Sequence, residues 1–462
     1  MSRKVKITFC SGAHEVTGAN FLFEVYPSTG SGRPSRKYLI DCGLIQGSKM
    51  AERENWEPFS YDPTQIDYLF ITHAHIDHVG RIPKIINDGF KGQIFSTLPT
   101  REIAKFMIED TGNILGKDKL DGLDKIYSKE NFEKAFSLWK GFEYHETIKL
   151  DEGVTVTFRD AGHILGSAMA EFNVDGKKFV FTGDLGNSPS PLLKDTEMLS
   201  DTDYLIMESV YGDRNHESRD QRKDMLEDAI EDTVKRKGVL LMPTFSLERS
   251  QELLFEIDSM IEGNRIPLTP VFLDSPLAIK LTSVFKKFSY CFNDKINEMI
   301  KKGNDIFMFP GLLSTEETEQ SKMIVRMAKP KVIIAGSGMS SGGRIVHHEK
   351  AYLPDSNNML LLTGYQTPGT LGWHIQNGEK TVRIAGEEIT VRAEVRRIDG
   401  YSGHKDSDNL LKFVQNTSET IKKVFVVMGE PKSSMFLAQK LRDNLGIDAY
   451  VPEKGESVEI EL

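Results

Sequence analysis

Cysteine is nearly absent. Cys10, Cys42 and Cys291 are the only three in 462 residues, and none sit at a paired spacing, which excludes both a disulfide framework and a thiolate zinc knuckle. Any metal must therefore be held by histidine and carboxylate. No apolar run approaches the roughly 20 residues of a membrane span, and MSRKVKITFCSG moves straight into a strand-like alternation instead of a signal peptide. Together these absences predict a cytoplasmic protein with no membrane contact. Positive charge is not in excess: 58 Lys and Arg face 68 Asp and Glu, for a net charge of -10. That balance excludes non-specific coating of nucleic acid, which rests on counterion release by many cations, but not a local basic cleft. The pairs Lys286-Lys287, Lys301-Lys302, Arg396-Arg397 and Lys422-Lys423 read as solvated faces.

At this length the chain should form two or three domains. The first 200 residues carry the runs KYLIDCG, DYLFITH, VTVTFRDAGH and KFVFTGDLG, each a β-rich stretch stopping at a residue able to bind metal or accept a hydrogen bond. YPSTGSGRPSR at 26–36 reads as an exposed loop, and the apolar spacing turns helical between about 100 and 145. After YLIMESVYGDR come four strand-turn-helix units, GVLLMPTFSLERSQELLFEI, TPVFLDSPLAIKLTSVFKKF, KPKVIIAGSGMSSGGRIVHH and NMLLLTGYQTPGTLGWHI. Such alternation implies a parallel, Rossmann-like sheet with ligands at the carboxyl ends of its strands. KTVRIAGEEITVRAEVRRIDG reads as a hairpin about Ala385-Gly386, and KKVFVVMGE as a strand flanked by two helices. The expected layout is a first domain over 1–211, an inserted one over 212–384, and a return to the first over 385–462.

Against this scarcity of cysteine, the segment HAHIDH places His73, His75, Asp77 and His78 within six positions of a chain that has 11 histidines. DYLFIT reads as a strand and VGRIPKII as a helix, so the cluster falls in their connection. His73, His75 and Asp77 share parity while His78 is out of step, an arrangement able to feed two centres a few ångströms apart. Imidazole and carboxylate suit zinc when thiolate is lacking. His163 in DAGHILGSA and Asp184 in FTGDLG each follow a strand and join them as candidates.

HAHIDH together with Asp41, His163 and Asp184, in this order and spacing, resembles the metallo-β-lactamase superfamily. GAHEVTGANFLFE, MESVYGDR, PTFSLERSQELLF, DSPLA, GSGMSSGGR, GYQTPGTLG and GYSGHKD resemble its β-CASP nuclease branch. The resemblance spans nearly the whole chain. It implies an αββα metallo-β-lactamase sandwich with an inserted Rossmann-like β-CASP domain. It also implies one zinc held by His73, His75 and His163 and another by Asp77 and His78, with Asp184 bridging. A pair of cations about 3.5–4 Å apart clamps both oxygens of a phosphodiester and lowers the pKa of bound water to about 7. Asp41 then either fixes the ligating histidines through hydrogen bonds or simply caps the loop. Glu208 and His404 match the branch's acidic and histidine motifs, with His404 as general acid or transition-state stabiliser. The expected catalytic set is Asp41, Asp77, Glu208 and His404. One departure stands out. Where RNA-cleaving members place a further ligand histidine this chain has Met428, and a thioether is a weak ligand for zinc, so the second site should be weaker; manganese is left open as the working ion.

The leading expectation is a nuclease acting on single-stranded RNA, endonucleolytically, from the 5' end, or both, in a cleft between the domains. GSGMSSGGR would grip phosphate through Ser337, Ser340, Gly343 and Arg344 at a helix start, although a glycine-rich stretch is also what a tight turn needs. His216, His347, His348 and His374 are read as structural or helix-surface residues. Two alternatives stay in view: a DNA-directed member of the branch, since those also lack the histidine at the Met428 position, and an RNA-binding scaffold of little activity. A homodimer is left open.

Overall fold

The computed structural model describes residues 3–27, 34–47, 49–115 and 122–462; of the loop expected at 26–36, residues 28–33 lie outside the described residues. Two compact units emerge. One comprises Met1–Ser190, Lys194–Asn215 and His404–Leu462, and the other Pro191–Leu193 and His216–Gly403.

In the first unit the period-two pattern read from the sequence becomes two seven-stranded sheets. Lys4–Ser11 shows the cause: Val5, Ile7 and Phe9 are buried, while Lys6 and Thr8 between them are less so. The strands of the first sheet run in the spatial order Ser457–Glu461, Lys4–Ser11, Asn20–Val25, Arg36–Ile40, Tyr68–Phe70, Gln93–Thr97, Trp139–Phe142. The second runs Ala449–Tyr450, Lys423–Val427, Tyr204–Glu208, Lys177–Phe181, Ala168–Val174, Val154–Asp160, Thr147–Asp151. Aromatic rings fill the space between them. Phe23 lies 5.1 to 5.7 Å from Phe172, Phe179 and Phe181, and Tyr38, Phe70 and Phe158 extend the same core. Helices Ser407–Gln415 and Pro431–Leu445 bring Leu410, Phe413, Leu437 and Leu441 into a second core with Val180, Leu205 and Val426 of the second sheet. Helices Leu98–Leu115 and Lys129–Leu138 lie against strands of the first. The result is the expected αββα sandwich.

Strand direction builds the site. Arg36–Ile40, Tyr68–Phe70 and Gln93–Thr97 are parallel neighbours, as are Lys177–Phe181, Tyr204–Glu208 and Lys423–Val427. Parallel neighbours end on the same side, so the segments bearing Asp41 and His73 in one sheet, and those bearing Asp184 and Glu208 in the other, each leave a common edge.

The second unit is a six-stranded, wholly parallel sheet. Its four units of strand and helix coincide with those read from the sequence. Continuous apolar strands such as Val239–Pro243 and Lys331–Ala335 are buried throughout, as a sheet covered on both faces requires. The return to the first unit falls at His404 and not at 385. The hairpin of Thr381–Ile384 and Glu387–Thr390 buries Val382, Ile384 and Ile389 in the second unit's core, and Glu394–Arg397 pairs in parallel with Met359–Leu362. Strand pairing, which local composition does not encode, keeps these residues with the inserted sheet. Arg396 of one basic pair is engaged by Asp232 and Glu394, in keeping with a solvated, charge-paired face.

Gly43 ties the histidine-bearing turn at 75–78 to the sheet. A Cβ there would lie 1.4 Å from the Asp77 carbonyl oxygen, and that backbone is already fixed by bonds from Ala19 N to Asp77 O and from Cys42 N to His78 O. Gly43→Ala must therefore displace the 75–78 turn. Thermal denaturation should show a loss of stability on the order of 1–3 kcal/mol; an unchanged midpoint would refute this packing.

Candidate metal centre

The chain leaves Tyr68–Phe70 and passes Thr72 before His73. His75 remains extended (φ -64°, ψ 149°) and caps a single helical turn, Ile76–Val79. Asp77 and His78 therefore diverge by about 100° around a helix axis, and it is this turn, not strand parity, that separates His78 from His73 and His75. His163 lies between Val154–Asp160 and Ala168–Val174, in a segment where Ser167 Oγ accepts from the backbone N–H groups of His163 and Ile164. Asp184 follows Lys177–Phe181.

These segments meet. His73 Nε2 and His163 Nε2 lie 3.1 and 3.2 Å from His75 Nδ1, and 3.4 and 3.6 Å from Asp184 Oδ2. Donor atoms around one tetrahedral ion at 2.0–2.2 Å would be roughly 3.3–3.6 Å apart, so His73, His75, His163 and Asp184 fit such an ion. The second carboxylate oxygen faces elsewhere: Asp184 Oδ1 is 3.5 Å from His78 Nε2, with Asp77 Oδ2 3.9 Å from the same nitrogen. His78 Nε2 and Asp184 Oδ1 are buried without a hydrogen-bond partner. Each buried polar atom left so costs on the order of 1–3 kcal/mol, and a cation between them would satisfy both.

Electrostatics favours ligation by His73 and His75, whereas at His78 burial is outweighed by Asp184, Asp41 and Asp77, which raise it well above the usual imidazole range. Burial holds His73 and His75 well below the usual imidazole range, in the neutral form that binds metal. Burial also opposes charge on Asp184, but His78, His73 and His404 outweigh it and keep the carboxyl ionised. Asp77 is raised by burial to about 6. For His404, burial lowers the pKa, yet Glu208 and Asp184 reverse the balance and push it up to about 9. Its Nδ1 is 3.2 Å from Glu208 Oε1 and 3.9 Å from Asp184 Oδ2. Glu208 is fully buried and also accepts from Leu185 N at 2.6 Å and Val210 N at 3.3 Å.

Asp41 sits behind the histidines. Its Oδ2 is 2.7 Å from His78 Nδ1 and accepts from Thr72 Oγ1 at 2.8 Å, while Oδ1 accepts from Thr72 N at 2.8 Å. The Thr72 hydroxyl lies 3.1 Å from His73 Nδ1 and 3.4 Å from His78 Nδ1. Thr72 was not singled out in the sequence, although a hydroxyl immediately before a histidine pair is the available signal. Met428 is buried in the apolar core, its backbone N donating to Gly12 O and its sulfur pressed against Gly12.

The expected phosphate grip fares differently. GSGMSSGGR follows Lys331–Ala335 in the second unit, but Ser340 is buried and donates to Glu349. Arg344 is taken up by Asp274 and by the carbonyls of Thr315 and Glu316. Asp274 also receives His348, Thr315 and Ser321. Ser337 Oγ accepts from Ser341 N, and Gly343 turns at φ +72° with a Cβ position only 2.4 Å from the Gly336 carbonyl oxygen. Ser340 and Arg344 thus stabilise the loop from inside, because a buried acid behind each one captures the donor that phosphate would need.

Comparison with known proteins follows the same lines. Residues 35–210 match the metallo-beta-lactamase superfamily domain, 250–375 the Beta-Casp domain, and 388–452 the Zn-dependent metallo-hydrolase RNA specificity domain. A ribonuclease of Thermus thermophilus is 34% identical over 99% of this chain and 100% of its own length. An RNase J-like protein of Methanocaldococcus jannaschii is 31% identical over 91% of this chain and 93% of its own. The transcription termination factor FttA of Methanosarcina mazei is 29% identical over 99% of this chain and 72% of its own. Among solved structures, a protein of unknown function from Enterococcus faecalis superposes with a TM-score of 0.56 at 13% identity, over 99% of this chain and 100% of that one, a likeness of fold. With the Thermus ribonuclease and the RNase J-like protein matched along almost their whole length, and with the histidine and aspartate cluster in place, the chain belongs to the β-CASP branch of the metallo-β-lactamase superfamily, a hydrolytic enzyme of the metal-dependent kind.

Proposed function

We propose that this protein is a zinc-dependent ribonuclease of the cytoplasm that hydrolyses phosphodiester bonds in single-stranded RNA, internally, from the 5' end, or both. The observation that carries the reading is the meeting of His73, His75, His163 and Asp184 donor atoms within 4.8 Å of one another. The relatives named as ribonuclease and RNase J-like, and the RNA specificity match, support RNA as the polymer.

His73, His75 and His163 would hold one ion and Asp77 and His78 a second, with the two oxygens of Asp184 divided between them. Zinc in these places would supply Lewis-acid polarisation of a phosphoryl oxygen and would lower the pKa of a bound water to about 7. The remaining work belongs to side chains. Asp41 and Thr72 fix the ring orientation of His73 and His78 by occupying their Nδ1 sides. Glu208, pinned by two backbone N–H groups, steadies His404 at Nδ1 and sustains its proton, and we assign the His404 imidazolium as the donor to the departing 3' oxygen. Because the Met428 sulfur is packed into the core, it adds no donor to the second ion, which should be the weaker of the two; a DNA substrate is tested beside RNA.

Four outcomes are expected. His73→Ala should abolish cleavage of end-labelled single-stranded RNA, and wild-type protein should prefer RNA to DNA of matched sequence; turnover retained by the variant would refute the mechanism, and equal or greater cleavage of DNA would refute the substrate assignment. Metal analysis after dialysis should find one retained zinc and a depleted second, whereas two equally retained ions would contradict the weaker-site reading. Thr72→Val should lower zinc affinity about 10- to 100-fold in a chelator competition, and unaltered affinity would remove Thr72 from the set of residues that orient the ligands.

A further inference from the structure

Phe245 follows the strand Val239–Pro243 and is 42% exposed, in a chain whose other phenylalanines are mostly buried. Its place in the sheet is distinctive. From Val239–Pro243 the chain crosses to Val271–Asp274, two positions to one side, and from the adjacent Lys331–Ala335 it crosses to Met359–Leu362, two positions to the other. Right-handed crossovers then put the connecting helices on opposite faces and open a crevice at the carboxyl ends of this strand pair, where doubly wound sheets bind ligands. Phe245 and the Gly336–Gly338 segment follow the two strands that flank this point, and they lie against one another.

The ring is held as a fixed surface. Ser250 Oγ donates to the Phe245 carbonyl at 2.9 Å and Gln251 Nε2 to the Ser246 carbonyl at 3.2 Å. A Cβ at Gly338 would lie 2.8 and 2.9 Å from Phe245 Cδ2 and Cε2, and one at Gly364 would lie 3.7 Å from Cε2. Glycine at 338 is thus what lets the backbone come up beside the ring. Gln366, buried, donates its amide to both the Gly338 and Gly364 carbonyls at 3.0 and 3.1 Å. Three motifs that the metal chemistry does not use, PTFSLERSQ, GSGMSSGGR and GYQTPGTLG, therefore converge on one aromatic side chain. The paired hydroxyls of Ser246 and Ser275, 3.0 Å apart, lie at the same strand ends.

We infer that Phe245 is a stacking platform for one nucleobase of the single-stranded substrate, held without base preference by the glycine loops at 336–338 and 364. A preorganised aromatic surface among backbone amides and hydroxyls suits a base and its sugar-phosphate, because every base presents a π-face. This inference rests on the RNA-cleaving reading above. It assigns substrate affinity, not chemistry, to the second unit's strand ends.

Steady-state cleavage of a single-stranded RNA oligonucleotide by the holoenzyme tests it, with hydrolysis of bis(p-nitrophenyl) phosphate, a diester without a base, measured in parallel. Phe245→Ala should raise KM for RNA on the order of ten-fold or more with kcat little altered, Phe245→Trp should keep KM near wild type, and the base-free diester should be turned over equally by all three. An RNA with abasic residues walked along it should show one position at which wild type loses affinity and Phe245→Ala loses none. An unchanged KM in Phe245→Ala overturns the inference, as does a parallel fall in both substrates that Phe245→Trp fails to rescue, which marks a structural role. If wild type cleaves the simple diester but not RNA, the reading of the substrate fails first and the stacking role with it.

Discussion

One buried carboxylate organises the first unit. Asp184 is 3% exposed, and within 4 Å its two oxygens face His73, His78, His163 and His404. An isolated ionised carboxylate in such a place would be strongly unfavourable. What offsets that cost is the ring of imidazoles around it, and those come from three separate segments of the chain. Removing Asp184 would leave His73 and His163 without the carboxylate that faces them, while His78 and His404 would keep Asp41 and Glu208.

The sandwich exists, in this sense, to bring these segments to one edge. A parallel run of strands in each sheet sends successive chain ends the same way, and the aromatic core between the sheets fixes their separation. Behind the ligands, Asp41 and Thr72 are held by backbone and hydroxyl bonds, while Gly43 allows the 75–78 turn to rest directly on the sheet. The ligand set is therefore supported by rigid neighbours and not by loop conformation alone, which is the condition for a metal site of defined geometry.

Much of this was legible in the sequence, for identifiable reasons. The four strand-turn-helix units of the second unit were readable because buried parallel strands are continuous apolar runs ended by glycine or proline. The histidine cluster was readable because cysteine is scarce and four ligand-capable residues lie within six positions. What escaped depends on tertiary contacts. Asp77 and His78 point apart because Ile76–Val79 is helical, which the alternation of a strand does not describe. Ser340 and Arg344 resembled phosphate donors until Glu349 and Asp274 were found behind them. The boundary at 385 moved to 404 because Glu394–Arg397 finds its partner in Met359–Leu362. Phe245 gave no sign in the sequence, since exposure of an apolar residue after a strand is visible only once the neighbouring glycine loops are placed.

The central claim is positional: separate segments place His73, His75, His163 and Asp184 around a single ion. Anomalous diffraction from crystals at the zinc absorption edge tests it directly. The account predicts the strongest peak within about 2.0–2.2 Å of the His73, His75 and His163 nitrogens and of Asp184 Oδ2. A zinc-loaded crystal whose anomalous density lay away from these four atoms would contradict it.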